Sequence, residues 1–355
     1  MYDSQKVYFR LNLHPVTTLS PSGKKIVEKA MQEKGPKRFF FHKDLYTTNP
    51  LGLENDEIEK YLFGKIDTTG AKALSALISP NWVKELHPYF RHVFEYMDAQ
   101  KLRTPKGLSW IEQVLKCRSQ IELMVAMQSI RKMNCTTWCE GVLEIVSAHD
   151  SSIKFIVSDN PVTSYNPECY PGSKYCKFPH DPSILLKGTR TIFPVDLNNC
   201  FILTNLEYAE KQGKNRALEN RTNPRYFDNT LVRYDKIIRT RKLSDNMVDQ
   251  INYIIKKRAH NYIAAADQDW LYPERRLKNS DWRSFNKVLL PPQKELFGFG
   301  GEIFVGGKDG ELIMTQDAFG RKPKNKKKWE QKEKEIKRAN EMFQNALKKL
   351  KNSVS

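Results

Sequence analysis

The sequence predicts an α+β fold: a helical N-terminal half, a small mainly antiparallel sheet, a long helix and a basic C-terminal helix. Three patterns carry this. Apolar residues recur every three or four positions between residues 57 and 133, short β-branched runs bounded by turn residues occupy 140–205, and helical spacing returns after Ser244. With 355 residues, 39% of them hydrophobic and 11% aromatic, the chain is long and apolar enough to bury a full core. The expected organisation is one α+β domain over 1–320, with a helical part at 50–135, a sheet-forming part at 140–205 and a long helix at 244–267, followed by a basic amphipathic helix at 321–355.

The first strand is Lys6–Leu11, and Arg38–Lys43 is a second candidate beyond a loop rich in Pro, Ser, Gly and Lys. A helix follows over 57–78, with Asn55 as its cap and Ile58, Tyr61, Leu62, Ile66, Leu74 and Leu77 on one face. Trp82 to Met97 continues the pattern, broken around His87-Pro88. Residues 108–133 are apolar around much of the circumference, which predicts a helix central to the core. Val142–Ser147 and Ile153–Ser158, joined by a short polar turn, read as a hairpin. A long Pro- and Tyr-rich loop runs from Asn160 to Gly188, and a loop of that length usually has a function. Strands resume at Arg190–Val195 and Cys200–Asn205; Ser244 caps the helix whose buried face is Met247, Val248, Ile251, Ile254, Ile255, Tyr262 and Ile263. A last hairpin is formed by 302–305 and 311–315 around Gly306-Gly-Lys-Asp-Gly310.

The net charge is +18, and half of it lies in residues 321–355, where 13 Lys or Arg face four Glu. Lys324, Lys326, Lys327 and Lys328 form a block whose potential attracts phosphate, so nucleic acid is the partner that this segment implies. The alternative is a solvated tail. Trp329, Ile336, Phe343 and Leu350 recur every seven residues, an apolar stripe that suits a protein partner along 329–350 or docking on its own domain. The apolar runs are too short to cross a bilayer, so no membrane association is expected. Six cysteines without a secretory leader fit reduced thiols in the cytoplasm.

Most catalytic motifs fail on spacing. Gly301–Asp309 misplaces the lysine of a phosphate loop, and no Gly-x-Ser-x-Gly elbow occurs. Cys169, Cys176, His180 and Asp181 lie too far apart for a conventional zinc site. The strongest candidate is the turn Ser158-Asp-Asn-Pro161, where a β-prone run stops at a carboxylate and an amide. Either Asp159 and Asn160 are displayed for chemistry, or they bond backbone in a turn. Glu144, on the strand expected to pair with this one, would approach Asp159 and complete a carboxylate pair able to hold a divalent metal such as magnesium. Arg103, at a helix end, is either a cap or a fork donor for phosphate, and Asn252 is either a ligand contact or a buried amide bonding backbone.

Lys43–Thr47, Ile58–Leu62, Arg103-Thr-Pro105, Phe155–Val162, Ile192–Leu197, Asn252 and Ala259 together resemble the uncharacterised bacterial family catalogued as the domain of unknown function numbered 4238. The resemblance spans about residues 37–265 and implies an organisation without an activity. It raises Asp159, Asn160 and Arg103 as site residues, because its recurring pieces are polar positions at element ends. The leading functional expectation is a nucleic-acid-directed protein of the metal-dependent nuclease or defence-effector kind. Here Asp159 is the metal ligand or base, Arg103 the phosphate clamp and the tail lysines the backbone contact. A non-catalytic interaction module, and an enzyme acting on a small phosphorylated or nucleotide ligand beside Asp159, are the alternatives.

Overall fold

The computed structural model describes residues 8–19, 25–27, 29–35, 63–86, 88–212, 216–221, 236–296, 302–306, 312–317 and 325–354. It forms two compact units, one of residues 1–220 with 225–295 and one of 221–224 with 296–355. The fold is α+β, with mostly antiparallel sheets. The expected strand at Arg38–Lys43, the Asn55 cap, the glycine turn at 307–310 and Lys324 lie outside the described residues.

In the first unit the chain runs through β1 (Tyr8–Asn12), β2 (Thr17–Leu19), β3 (Lys25–Val27) and β4 (Met31–Lys34) into helices α1 (Gly64–Ile78), α2 (Trp82–Glu85) and α3 (Phe90–Leu102). Helices α4 (Pro105–Leu115), α5 (Gln120–Ser129) and α6 (Cys135–Cys139) precede strands β5 (Val142–Ser147), β6 (Val157–Ser158), β7 (Thr163–Tyr165), β8 (Arg190–Pro194) and β9 (Asn199–Thr204). Then come α7 (Leu206–Glu210), β10 (Ile237–Ile238), α8 (Asp245–Arg258) and β11 (Tyr262–Ala265). One sheet has the order β4-β1-β11-β6 and the other β10-β5-β9-β8-β7, antiparallel except for the pairing of β10 with β5.

The five-stranded sheet is a partition between two cores. Alternation along its strands sends Val146, Ile192 and Ile202 into the cluster built on Val248, Ile251, Ile254 and Ile255 of α8. Their neighbours Ile145, Phe193, Phe201 and Leu203 enter a second cluster with Val93, Phe94 and Met97 of α3 and Trp138 of α6. Both faces being covered explains why β8 and β9 are almost wholly buried.

Three sequence expectations are corrected. Val142–Ser147 does not pair with Ile153–Ser158: β5 lies between β9 and β10, whereas β6 pairs with β11 in the other sheet. The run 153–156 satisfies its backbone elsewhere, since Phe155 N donates to Leu197 O and Asn252 brackets Lys154 and Ile156. The long helix expected over 108–133 is two, α4 and α5, separated where Lys116 adopts φ 55° and Ser119 caps α5 through Glu122 N. Val114, Leu115, Ile121 and Val125 are therefore exposed rather than central. The helix expected over 244–267 ends at Arg258, and Tyr262–Ala265 forms β11, paired with β1 on one side and β6 on the other. Ser244 occupies the N-cap position without a capping side-chain bond, and Asp245 instead accepts from Ser151 and Ser152.

The second unit contains the hairpin β12 (Glu302–Gly306) and β13 (Leu312–Asp317), with the expected pairing, and the helix α9 (Lys326–Val354). Lys326, Lys327 and Lys328 are exposed in its first turn, and Trp329 is 46% exposed.

Candidate functional site

The sequence Leu102-Arg-Thr-Pro105 makes a sharp corner between α3 and α4. Thr104 is the N-cap of α4, its Oγ1 accepting from Gly107 N at 3.0 Å, and Pro105 occupies the first helical position, where its missing N–H costs nothing. The corner sets Lys101, in the last turn of α3, beside Lys106, in the first turn of α4. Both reach Asp181 in the long loop: Lys106 Nζ lies 2.7 Å from Oδ1 and Lys101 Nζ 3.1 Å from Oδ2. A lysine in the first turn opposes the helix dipole, so Lys106 is held there by Asp181 rather than by its own helix. Burial by itself would raise the Asp181 carboxyl, but Lys106, Lys101 and Arg258 hold it well below its usual range.

A second corner meets the first. Asp159 follows β6 and accepts from three successive backbone amides, His260 N at 2.8 Å, Asn261 N at 2.7 Å and Tyr262 N at 3.1 Å. These amides cannot bond back into α8, and the helix stops. Asn160 is buried and donates from Nδ2 to the carbonyl of Arg258 at 3.0 Å, and Lys106 Nζ donates to that same oxygen at 3.2 Å. The exposed final carbonyl of α8 is thereby satisfied twice. The side chain of Arg258 is buried, donates to the Cys169 carbonyl and lies over the Trp282 ring at 5.1 Å.

Between the two corners is a cavity of about 620 Å³, lined by Lys101, Lys106, Asn160, Cys169, Lys174 and Asp181, and by an apolar wall that includes Leu102, Trp110, Met133 and Ile184. Three lining lysines face one carboxylate. Among the described residues, Lys106 uses two of its three N–H donors, on Asp181 and Arg258, leaving one for a ligand. The wall is therefore suited to a small anion carrying an apolar or aromatic body.

The other candidate residues are placed differently. Glu144 is buried on β5, in another sheet from β6, and both its oxygens meet Arg241, at 2.7 and 2.6 Å. Burial raises its carboxyl to about 7 against the pull of Arg241. The carboxylate pair expected of Glu144 and Asp159 is not formed, because the hairpin that would have joined them is not. Among the described residues no group of three or more His, Cys, Asp or Glu is placed to hold a metal ion. Arg103 ends α3, bonds Asp67 at 2.9 Å and lies over the Phe63 ring at 5.4 Å. Asn252 is fully buried, accepting from Ile156 N and donating to Lys154 O, so its amide holds backbone.

Sequence reasoning missed Lys101, Lys106 and Arg258. The available signal was the length of the loop expected at 160–188, which supplies Asp181 and Cys169 of the cavity wall.

The fold and site define an α+β protein with a cationic cavity at the meeting of two helix ends. Residues 115–269 match the family described as Protein of unknown function (DUF4238). The match takes in Asp159, Asn160, Asp181, Asn252 and Arg258; the lysine corner and the earlier segments of resemblance precede it. No curated protein and no solved structure matches the chain. No described helix is long and apolar enough to cross a membrane.

Proposed function

We propose that this protein binds a small phosphorylated or nucleotide-like ligand in the cavity between the Lys101–Lys106 corner and the Asp159–Asn160 turn. The observation that carries the reading is the excess of cations on the wall, with Lys101, Lys106 and Lys174 opposed by Asp181 alone. Low local dielectric makes such an excess attractive to an anion, and the apolar wall around Trp110 supplies area for a base or other flat body. Asp159 serves this site as scaffold: its oxygens hold three backbone amides while its neighbour Asn160 faces the cavity.

The test is thermal denaturation with inorganic phosphate, pyrophosphate, AMP and ATP, repeated on Lys106→Met. A ligand held at a hundred times its Kd adds about 2.7 kcal/mol to stability, enough for a clear rise in Tm. A rise with at least one of these anions, lost in Lys106→Met with folding intact by circular dichroism, is expected. No rise with any of them, or one equal in the variant, would overturn the reading.

A second reading rests on the separate C-terminal unit. The exposed block Lys326–Lys328 at the start of α9 suits a phosphate backbone, so nucleic-acid binding through this helix is proposed as an independent property. A gel shift that weakens steeply with salt and disappears on removal of residues 325–355 supports it. The nuclease form of this reading draws nothing from Glu144 or Asp159, whose oxygens are already taken by Arg241 and by backbone amides.

A further inference from the structure

The loop between β7 and β8 carries two cysteines seven positions apart. Each closes a short turn, Cys169 N donating to Asn166 O at 3.1 Å and Cys176 N to Ser173 O at 2.9 Å. The turns bring the pair together: as a thiol, Cys176 donates from Sγ to the Cys169 carbonyl at 3.6 Å, the oxygen to which Arg258 also donates. Cys169 lines the cavity. Arg258 is against the same pair, donating to the Cys169 carbonyl and acting electrostatically on both sulfurs.

Arg258 is the informative neighbour. It is 3% exposed, its Nε finds no hydrogen-bond partner among the described residues, and it makes no ion pair there. Asp181, the carboxylate on which it acts, is bonded to Lys101 and Lys106. A buried guanidinium without a counter-charge is costly, and the group beside it that can become an anion is a thiol.

We propose that Cys176 and Cys169 are a reactive dithiol oxidised by hydroperoxides, with Cys176 as the attacking sulfur and Cys169 as the resolving one. The Cys176 thiolate, paired with Arg258, attacks one oxygen of the peroxide. The S–O bond forms, the O–O bond breaks, and the departing oxygen takes a proton from solvent to leave as water or an alcohol. Cys169 then gives up its proton and attacks the Cys176 sulfenic acid; the S–S bond forms and the S–O oxygen leaves as water. The two thiols lose two electrons and the peroxide gains them.

The titration of the pair has the same polarity. The neighbouring Cys169 lowers the Cys176 thiol, against burial and with help from Arg258, which favours the thiolate at Cys176. Cys169 is raised by its neighbour Cys176 and by burial, and keeps its proton until it resolves the intermediate. Cys135, Cys139 and Cys200 are buried with raised thiols, and Cys117 is part-exposed, which makes it the internal reference.

The proposal stands apart from the ligand reading of the cavity, since it concerns sulfur chemistry in the free protein. The experiment treats the full chain with hydrogen peroxide and maps thiols by mass spectrometry, with dimedone as the sulfenic acid trap. The wild type is expected to lose two hydrogens through a 169–176 disulfide. C169S is expected to carry dimedone on Cys176, and C176S to lose the reaction at Cys169. Labelling of the untreated wild type by iodoacetamide, mapped residue by residue, needs no variant. Cys176 is expected to react about tenfold or more faster than Cys117 at neutral pH, with an inflection below the usual thiol range. Oxidation that falls first on Cys117, a 169–176 disulfide that never forms, or Cys176 labelling without an inflection below 8 would overturn the proposal.

Discussion

The side-chain amide of Asn160 lies 3.0 Å from the carbonyl oxygen of Arg258, the residue that ends α8. Lys106 reaches the same atom, so one carbonyl joins the turn after β6, the end of the central helix and the first turn of α4. Removing the amide leaves a buried acceptor short of one donor. Asn160→Ala is expected to cost about 1–3 kcal/mol, read as a lower urea midpoint at unchanged slope. An unchanged midpoint would mean that Lys106 alone suffices for this carbonyl.

Asp159 carries a heavier structural duty. A carboxylate can accept three amide N–H groups, but the amide of Asp159→Asn has one oxygen and turns an NH₂ toward donors. The variant is expected to lose about 2–4 kcal/mol, with increased amide exchange at His260, Asn261 and Tyr262. If instead it kept full stability while losing a function, Asp159 would belong to the chemistry after all.

The polar turn at Asp159-Asn160 was legible because a β-prone run stops there, and the strands β5, β8 and β9 and the apolar face of α8 were legible because their periodicity is local. Which groups the turn would bond was not legible, because His260 lies 101 positions further along the chain. The same holds for the cavity, whose Lys106 and Asp181 are 75 positions apart. The false hairpin has a related origin. Ile153–Ile156 has strand composition, but its backbone is held by Leu197 and by the Asn252 side chain, partners that no local pattern reveals. Lys116 breaks the expected helix in a left-handed conformation without being the glycine that would announce it.

Gly107 fixes how closely α4 approaches the end of α3. A Cβ at this position would lie 2.3 Å from the carbonyl oxygen of Lys101 and 2.6 Å from that of Leu102, both backbone atoms with little room to yield. Gly107→Ala is therefore expected to push the two helices apart, despite the higher helix propensity of alanine, which favours the change by about 1 kcal/mol. Separation of the corner draws Lys101 and Lys106 off their shared carboxylate. A fall in Tm, together with weaker anion stabilisation, is the expected result; a gain in Tm would show that the corner opens without cost.

Asp181 allows the charge balance of the cavity to be tested against pH. Its folded-state carboxyl is held below the unfolded value of 3.8, so its contribution is present above that value and lost as pH falls through the folded one. Asp181→Asn should thus cost stability at pH 7, on the order of 3 kcal/mol for a part-buried carboxylate shared by two lysines, and the gap from wild type should close below pH 3.8. The variant leaves Lys101, Lys106 and Lys174 without an opposing charge on the wall, so added phosphate should restore more of its Tm than it adds to the wild type. A stability gap that widens on acidification would contradict the ion pairing. Equal responses to phosphate in the two proteins would separate Asp181 from anion binding and leave it a role in anchoring the long loop.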